Sequence, residues 1–231
     1  MQQYCCPRGR NKIDEEAFCN SKITNVALPS SVKSISDRAF YNCDSLTTVT
    51  MENVETIGVS AFNYCQALVN INIPSSVKTI GEDAFNNCKS LKEITIPAGV
   101  EKIEESTFVG CQALECLTIE TGVVAIVEMA FSKCSGLKKV VIPTGVKEIE
   151  AKAFNGNSVL DTLIIASEKV KLGREAFGKC DSIKAVYILS DSVPDVSELT
   201  SLSRPFATGS KRAPAPRGTL YVPIGCPLSL V

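Results

Sequence analysis

The sequence has no histidine and no tryptophan, and aromatic residues make up only 6% of its 231 positions. Without histidine, neither a Ser-His-Asp triad nor a Cys-His dyad can be assembled. No C-x-x-C pair occurs, so the usual zinc ligand sets are missing although there are 11 cysteines. Charge of one sign is also lacking: 24 basic and 25 acidic residues are interleaved and leave a net charge of −1. Nothing resembles the electropositive stripe that nucleic acid requires, so no nucleic-acid partner is expected. No apolar run approaches the roughly 20 residues of a spanning helix, and no direct membrane insertion is expected. At the start, Cys5, Cys6 and Pro7 stand where a signal peptide would carry its apolar region, so none is expected there. There is no glycine-rich phosphate cradle and no calcium loop of alternating aspartates. Glu104 and Glu105, like Glu148 and Glu150, read as solvated residues and not as an acid–base pair. The chain is therefore expected to have no catalytic residues, no metal site and no cofactor.

What the chain does have is a period. Phe18, Phe40, Phe62, Phe85, Phe108, Phe131, Phe154 and Phe177 follow one another at intervals of 22 or 23 residues, and of the nine phenylalanines only Phe206 is out of register. Self-similarity at this interval marks a solenoid, whose coils bury apolar surface against their neighbours. From Phe40 onward, the sixth residue after each register phenylalanine, from Leu46, Leu68 and Leu91 to Ile183, is a branched aliphatic. The ninth and eleventh are apolar too, as in Ile71 and Ile73 or Ile94 and Ile96. That alternation predicts one short strand per coil, ended in four coils by Pro29, Pro74, Pro97 and Pro143. Val32, Val54, Val77, Val100, Val123 and Val146 begin a return path that Ile35, Ile57, Ile80, Ile103, Ile126 and Ile149 continue. The stretch around each phenylalanine, such as Gly81 to Cys88, is expected to form a helical turn opposite the strand. Gly81, Gly99, Gly122 and Gly145 are expected to supply backbone conformations closed to other residues. The coil of Phe18, one residue shorter before its strand, is expected to fray.

Six cysteines keep the same register. Cys43, Cys65, Cys88, Cys111, Cys134 and Cys180 each lie three residues after a phenylalanine, and Asn157 fills that slot after Phe154. The exchange of thiol for amide points to a small inner-corner side chain that donates a hydrogen bond to a turn carbonyl. Side chains stacked at a coil spacing of about 4.8 Å are too far apart for easy disulfides, so a reduced, buried column is expected. Cys5, Cys6, Cys19, Cys116 and Cys226 remain as candidates for accessible thiols.

Side chains that alternate outward from the strands form two columns open to a partner. The eighth position after each register phenylalanine from Phe40 onward gives Thr48, Asn70, Glu93, Cys116, Lys139, Thr162 and Ala185, and the tenth gives Thr50, Asn72, Thr95, Thr118, Val141, Ile164 and Tyr187. The candidate binding residues are Thr50, Asn70, Asn72, Glu93, Thr95, Thr118, Lys139, Val141, Ile164 and Tyr187. The apolar end of the second column has two readings: a protein-binding patch anchored by Tyr187, or a surface covered by the chain's own tail. That tail breaks the register and holds Pro194, Pro205, Pro214, Pro216, Pro223 and Pro227. The expected organisation is a solenoid of about eight coils over 12–190, a proline-rich and basic loop over 191–217, and a terminal strand or cap over 218–231, where Thr219 to Pro223 repeats the strand-plus-proline signature.

Segments such as Ile73-Pro74-Ser75-Ser76-Val77-Lys78-Thr79-Ile80-Gly81-Glu82-Asp83-Ala84-Phe85-Asn86-Asn87-Cys88-Lys89-Ser90-Leu91 resemble the BspA-type leucine-rich repeat, a family of surface proteins. The resemblance runs from about Lys12 to Ser190. It implies a right-handed leucine-rich solenoid of the α/β repeat type, mostly strands and turns, with one short parallel strand per coil. It also implies no catalytic activity, a location at the cell surface or outside the cell, and binding of a protein or other extracellular macromolecule on a concave sheet. A second reading is a structural spacer within a larger surface protein. Neither reading fixes the ligand or the oligomeric state.

Overall fold

The structure, a computed structural model, describes residues 3–5 and 11–189. The expected loop over 191–217, the cap over 218–231, and Cys6 and Cys226 lie outside the described residues. Within them the chain forms a solenoid without helices. The strands of its first ladder are Gln3–Cys5, Asn25–Ala27, Thr48–Thr50, Asn70–Ile71, Glu93–Ile96, Cys116–Ile119, Lys139–Ile142, Thr162–Ile165 and Ala185–Ile188. All their pairings are parallel, as in Glu93 with Cys116 or Leu163 with Val186.

Each coil also carries a second strand of two residues on the return path, which adds to the one expected. These are Lys12–Ile13, Ser34–Ile35, Thr56–Ile57, Thr79–Ile80, Lys102–Ile103, Ala125–Ile126, Glu148–Ile149 and Lys171–Leu172. In each, the second residue is buried and the first points outward. A run of only two residues carries too little alternation to be read as a strand from sequence.

The core is the set of repeat positions. Phe40, Phe62, Phe85, Phe108, Phe131 and Phe154 are wholly inaccessible, and the leucines, valines and isoleucines of the register surround them. Successive rings from Phe18 to Phe177 lie 5.0–5.3 Å apart between centroids and within 12° of parallel. The separation follows the spacing of stacked strands, and each ring contact adds about 0.5–1.5 kcal/mol to the burial of its area.

The stretch around each phenylalanine is not a helical turn. Its N–H groups alternate: Cys88 N donates to Phe85 O within the coil, whereas Asp83 N, Phe85 N and Asn87 N donate to Glu105 O, Thr107 O and Val109 O of the next. A helix would use these N–H groups internally and leave nothing to hold the following coil. The alternation demands left-handed backbone two residues before and two after each phenylalanine, as at Asp83 (φ 55) and Asn87 (φ 57). Gly110 (φ 71) and Gly156 (φ 80) take the second of these positions without the steric penalty. Gly81, Gly99, Gly122 and Gly145 are not left-handed, contrary to expectation. Their role is close approach: a Cβ on Gly122 would collide with Ala98 O of the preceding coil.

The coil of Phe18, expected to fray, has its strand Asn25–Ala27 paired on both sides, with Gln3–Cys5 and Thr48–Thr50. The strand ladder itself is interrupted. Pairing stops between Asn70–Ile71 and Glu93–Ile96 and again between Cys116–Ile119 and Lys139–Ile142, while the return ladder stops between Thr79–Ile80 and Lys102–Ile103. The phenylalanine column passes all these levels unbroken.

Candidate functional site

The inner corner behaves as the cysteine register implied. Cys43, Cys65, Cys88, Cys111, Cys134 and Cys180 are buried and unbridged. Each Sγ donates to the carbonyl of the preceding coil's phenylalanine, from Cys43 to Phe18 O at 2.9 Å to Cys180 to Phe154 O at 3.2 Å. Asn157 does the same to Phe131 O at 3.1 Å, and its second N–H reaches Phe154 O of its own coil at 3.0 Å. Its Oδ1 is buried without a partner. Burial pushes the thiols of Cys65, Cys88 and Cys134 well up and that of Cys180 to about 11, which keeps them protonated donors. This column is cohesion and not chemistry. Among the described residues no three Cys, Asp or Glu converge on a metal-sized site.

The strand face is organised differently. Strands Glu93–Ile96 and Lys139–Ile142 alternate exposed and buried residues strictly, so side chains at the eighth and tenth positions stand in solvent while their neighbours lock into the core. Asn70, Asn72, Glu93, Thr95 and Thr118 converge with Cys116 on an open depression of about 190 Å³. None of these side chains makes a hydrogen bond or ion pair among the described residues. Coils nearer the start differ: Asn25 accepts from both Thr47 and Thr48 and is used up within the protein.

Val141, Ile164 and Tyr187 are register partners on consecutive strands and form one apolar row. Val141 is 39% exposed, whereas Ile164 and Tyr187 are half-buried. Thr50 and Lys139 are exposed, but neither lines the depression. The ten predicted residues thus fall into a polar group, an apolar row and two flanking positions. Cys116, which the sequence places in the eighth column, was not among the expected binding residues although it lines the depression. Its thiol is exposed, as expected, and that of Cys19 is half-buried.

Sequence reasoning also missed a cluster on the turn side. Tyr64 (40% exposed) meets Tyr41 edge-on at 6.0 Å, and the Arg38 guanidinium lies 4.8 Å over the Tyr41 ring. The signal was present: Tyr64 occupies the left-handed position that Asn20, Asn42 and Asn87 fill in other coils. The exposed pairs Lys33–Glu55 at 3.0 Å and Lys171–Glu148 at 2.8 Å join neighbouring coils on the return side. Such solvated pairs contribute little.

The family model described as the BspA type leucine rich repeat region matches the chain in six copies over residues 2–115 and 55–184. The chain belongs to that family. Among solved structures, this BspA-type repeat protein is similar to a leucine rich repeat protein of T. pallidum, at 30% identity and a TM-score of 0.68, covering 80% of this chain and 86% of that one. It is also similar to a leucine rich cell surface protein of Faecalibacterium prausnitzii, at 25% identity and a TM-score of 0.55, covering 87% and 74%. A leucine-rich repeat protein of Eubacterium ventriosum shares the fold at 20% identity, with a TM-score of 0.55 over 91% and 68%. A search of curated proteins found no match. BspA-type repeats belong to a class of scaffold that is generally non-catalytic and mediates protein interactions across an extended surface. No helix among the described residues is long and apolar enough to cross a membrane.

Proposed function

We propose that this protein is a non-catalytic binding module that captures a protein or other extracellular macromolecule on its strand face, at the cell surface or outside the cell. One observation carries the reading. The interior repeats coil after coil, whereas Asn70, Asn72, Glu93, Thr95 and Thr118 project unengaged polar groups around one depression, next along the face from the apolar row of Val141, Ile164 and Tyr187. Unused donors and acceptors beside exposed apolar surface are what a partner needs for orientation and for burial, respectively. The likeness to a protein described as a cell surface protein of Faecalibacterium prausnitzii supports the location.

The test is capture from mixed extracellular-matrix and plasma proteins by the immobilised chain, compared with a variant carrying Ile164→Ser and Tyr187→Ser and a second carrying Asn72→Ala and Thr95→Ala. Enrichment of a component that both variants lose by tenfold or more supports binding on this face. A component retained equally by both variants places its site elsewhere, and no enrichment at all favours the spacer reading.

A further inference from the structure

On the outer surface of the turn side, one coil departs from its neighbours. The third residue before the register phenylalanine is Glu15, Asp37, Glu82, Glu105 and Glu128 in successive coils, but Val59 in the coil of Phe62. Two residues after the phenylalanine, the same coil puts Tyr64 where its neighbours have Asn42 and Asn87. Both replacements face outward: Val59 is 42% and Tyr64 40% exposed. The buried column gains nothing from them, since Ala61, Phe62 and Cys65 repeat Ala39, Phe40 and Cys43. With the Arg38–Tyr41 contact they form one continuous strip, because Arg38 N donates to Val59 O at 2.9 Å and the Tyr41 ring meets that of Tyr64. An exposed apolar strip rimmed by polar residues marks an interaction surface.

The charges around the strip select its occupant. Glu15, Asp37, Glu82 and Glu105 are exposed, and among the described residues none of them has an ion-pair partner, whereas Glu16, Asp44, Glu55 and Glu148 do. Their spacing is fixed, because the carbonyls of Asp37, Val59, Glu82 and Glu105 each accept from an N–H of the preceding coil at 2.8–3.2 Å. Carboxylates held one coil apart repel each other, and cations brought by a partner remove that repulsion. The chain itself shows how a cation sits on this surface: the Arg38 guanidinium lies 4.8 Å over the Tyr41 ring while bonded to Glu16 at 2.7 Å. Tyr64 presents a second ring one coil on, and among the described residues no cation lies over it. Asn63, which follows Tyr41 in its row and precedes Tyr64 in the chain, is 7% exposed, and its Oδ1 has no hydrogen-bond partner. The strip therefore lacks donors as well as cover.

We propose that this strip docks a basic segment of a partner protein, extended along the solenoid axis, with an aliphatic side chain on Val59, an arginine over Tyr64 and further cations beside the carboxylates on either side. From Glu15 to Glu105 the row spans four coil steps of 5.0–5.3 Å. That is about 20 Å, the length of roughly six residues of extended chain. The order acidic, acidic, apolar, acidic, acidic sets the complementary order in the partner, so an apolar anchor stands between basic residues. The surface is separate from the strand face and its assignment stands whether or not that face binds.

The experiment titrates the full chain with the peptide acetyl-Arg-Lys-Leu-Arg-Lys-Arg-amide and follows backbone amide shifts by NMR. The expected result is saturable binding with shifts centred on Arg38, Val59 and Tyr64. Affinity falls at least tenfold in Val59→Ser/Tyr64→Ser, at least tenfold in Glu82→Gln/Glu105→Gln, and at least tenfold when citrulline replaces each arginine of the peptide. The charge-matched control Glu101→Gln/Glu115→Gln, outside the row, binds as the parent does. Absence of saturable binding at millimolar peptide overturns the proposal. So does an affinity kept in Val59→Ser/Tyr64→Ser or lowered equally in the control, since charge alone would then hold the peptide. Shifts at Val59 and Tyr64 that grow with protein concentration in the absence of peptide would assign the strip to a second copy and also overturn it.

Discussion

The two sides of each coil are built on opposite terms. On the turn side, three N–H groups per coil bond to the next coil, a thiol or amide bonds back to the previous one, and the phenylalanine rings stack without a gap. On the strand side the ladder lapses twice, the outward residues change chemistry from coil to coil, and several polar side chains are unengaged. The difference shows where cohesion and recognition reside. A column that repeats in every coil cannot vary without cost, and because it holds the stack together the opposite face is free to vary.

The comparison is broken most severely by opening the column. Phe85→Ala leaves a hole between two stacked rings and should cost about 3–5 kcal/mol, seen as a large fall in the chemical denaturation midpoint. Asn157→Ala removes donors to two buried carbonyls and should cost about 1–3 kcal/mol, whereas Asn157→Cys restores the bond to Phe131 O made by the other corners and should stay within about 1 kcal/mol of the parent.

A pH titration sharpens the same contrast. The Cys180 thiol is held near 11 in the folded chain against an ordinary value of 9.0. Above the ordinary value the unfolded chain gives up this proton while the folded chain still binds it. Stability should therefore be intact below about pH 9 and decline from there toward pH 11, and the decline should shrink in Cys180→Ala. Thiol labelling of the native chain follows the same division. Cys116 on the strand face should react with iodoacetamide, and Cys65, Cys88 and Cys134 only on unfolding. The smallest effect is expected on the face itself, where Thr95→Ala should change stability by less than about 0.5 kcal/mol.

The periodic part of this division was legible in the sequence. The phenylalanine interval located the column, and the replacement of thiol by Asn157 identified the corner hydrogen bond before any geometry was known, because a substitution that keeps the donor and changes the shape shows what the position requires. The turn conformation was not legible. Arg38, Met129 and Lys152 are ordinary residues held in left-handed backbone by hydrogen bonds to another coil, and local preference gives no warning of a constraint imposed from outside the segment. The outward columns could be read from alternation. Which of their members converge could not, since that depends on stacking between strands and on the interruptions of the ladder. Thr50 and Lys139 share the pattern of the other candidates yet stand apart from the depression.

The most direct test sets the two sides against each other in one measurement of the denaturation midpoint. Phe85→Ala alone should lower it far more than Asn70→Ala, Asn72→Ala, Glu93→Ala, Thr95→Ala and Thr118→Ala combined, with the fivefold variant close to the parent. A fivefold variant as damaged as Phe85→Ala would show that the strand face carries the cohesion assigned to the column, and would contradict the account.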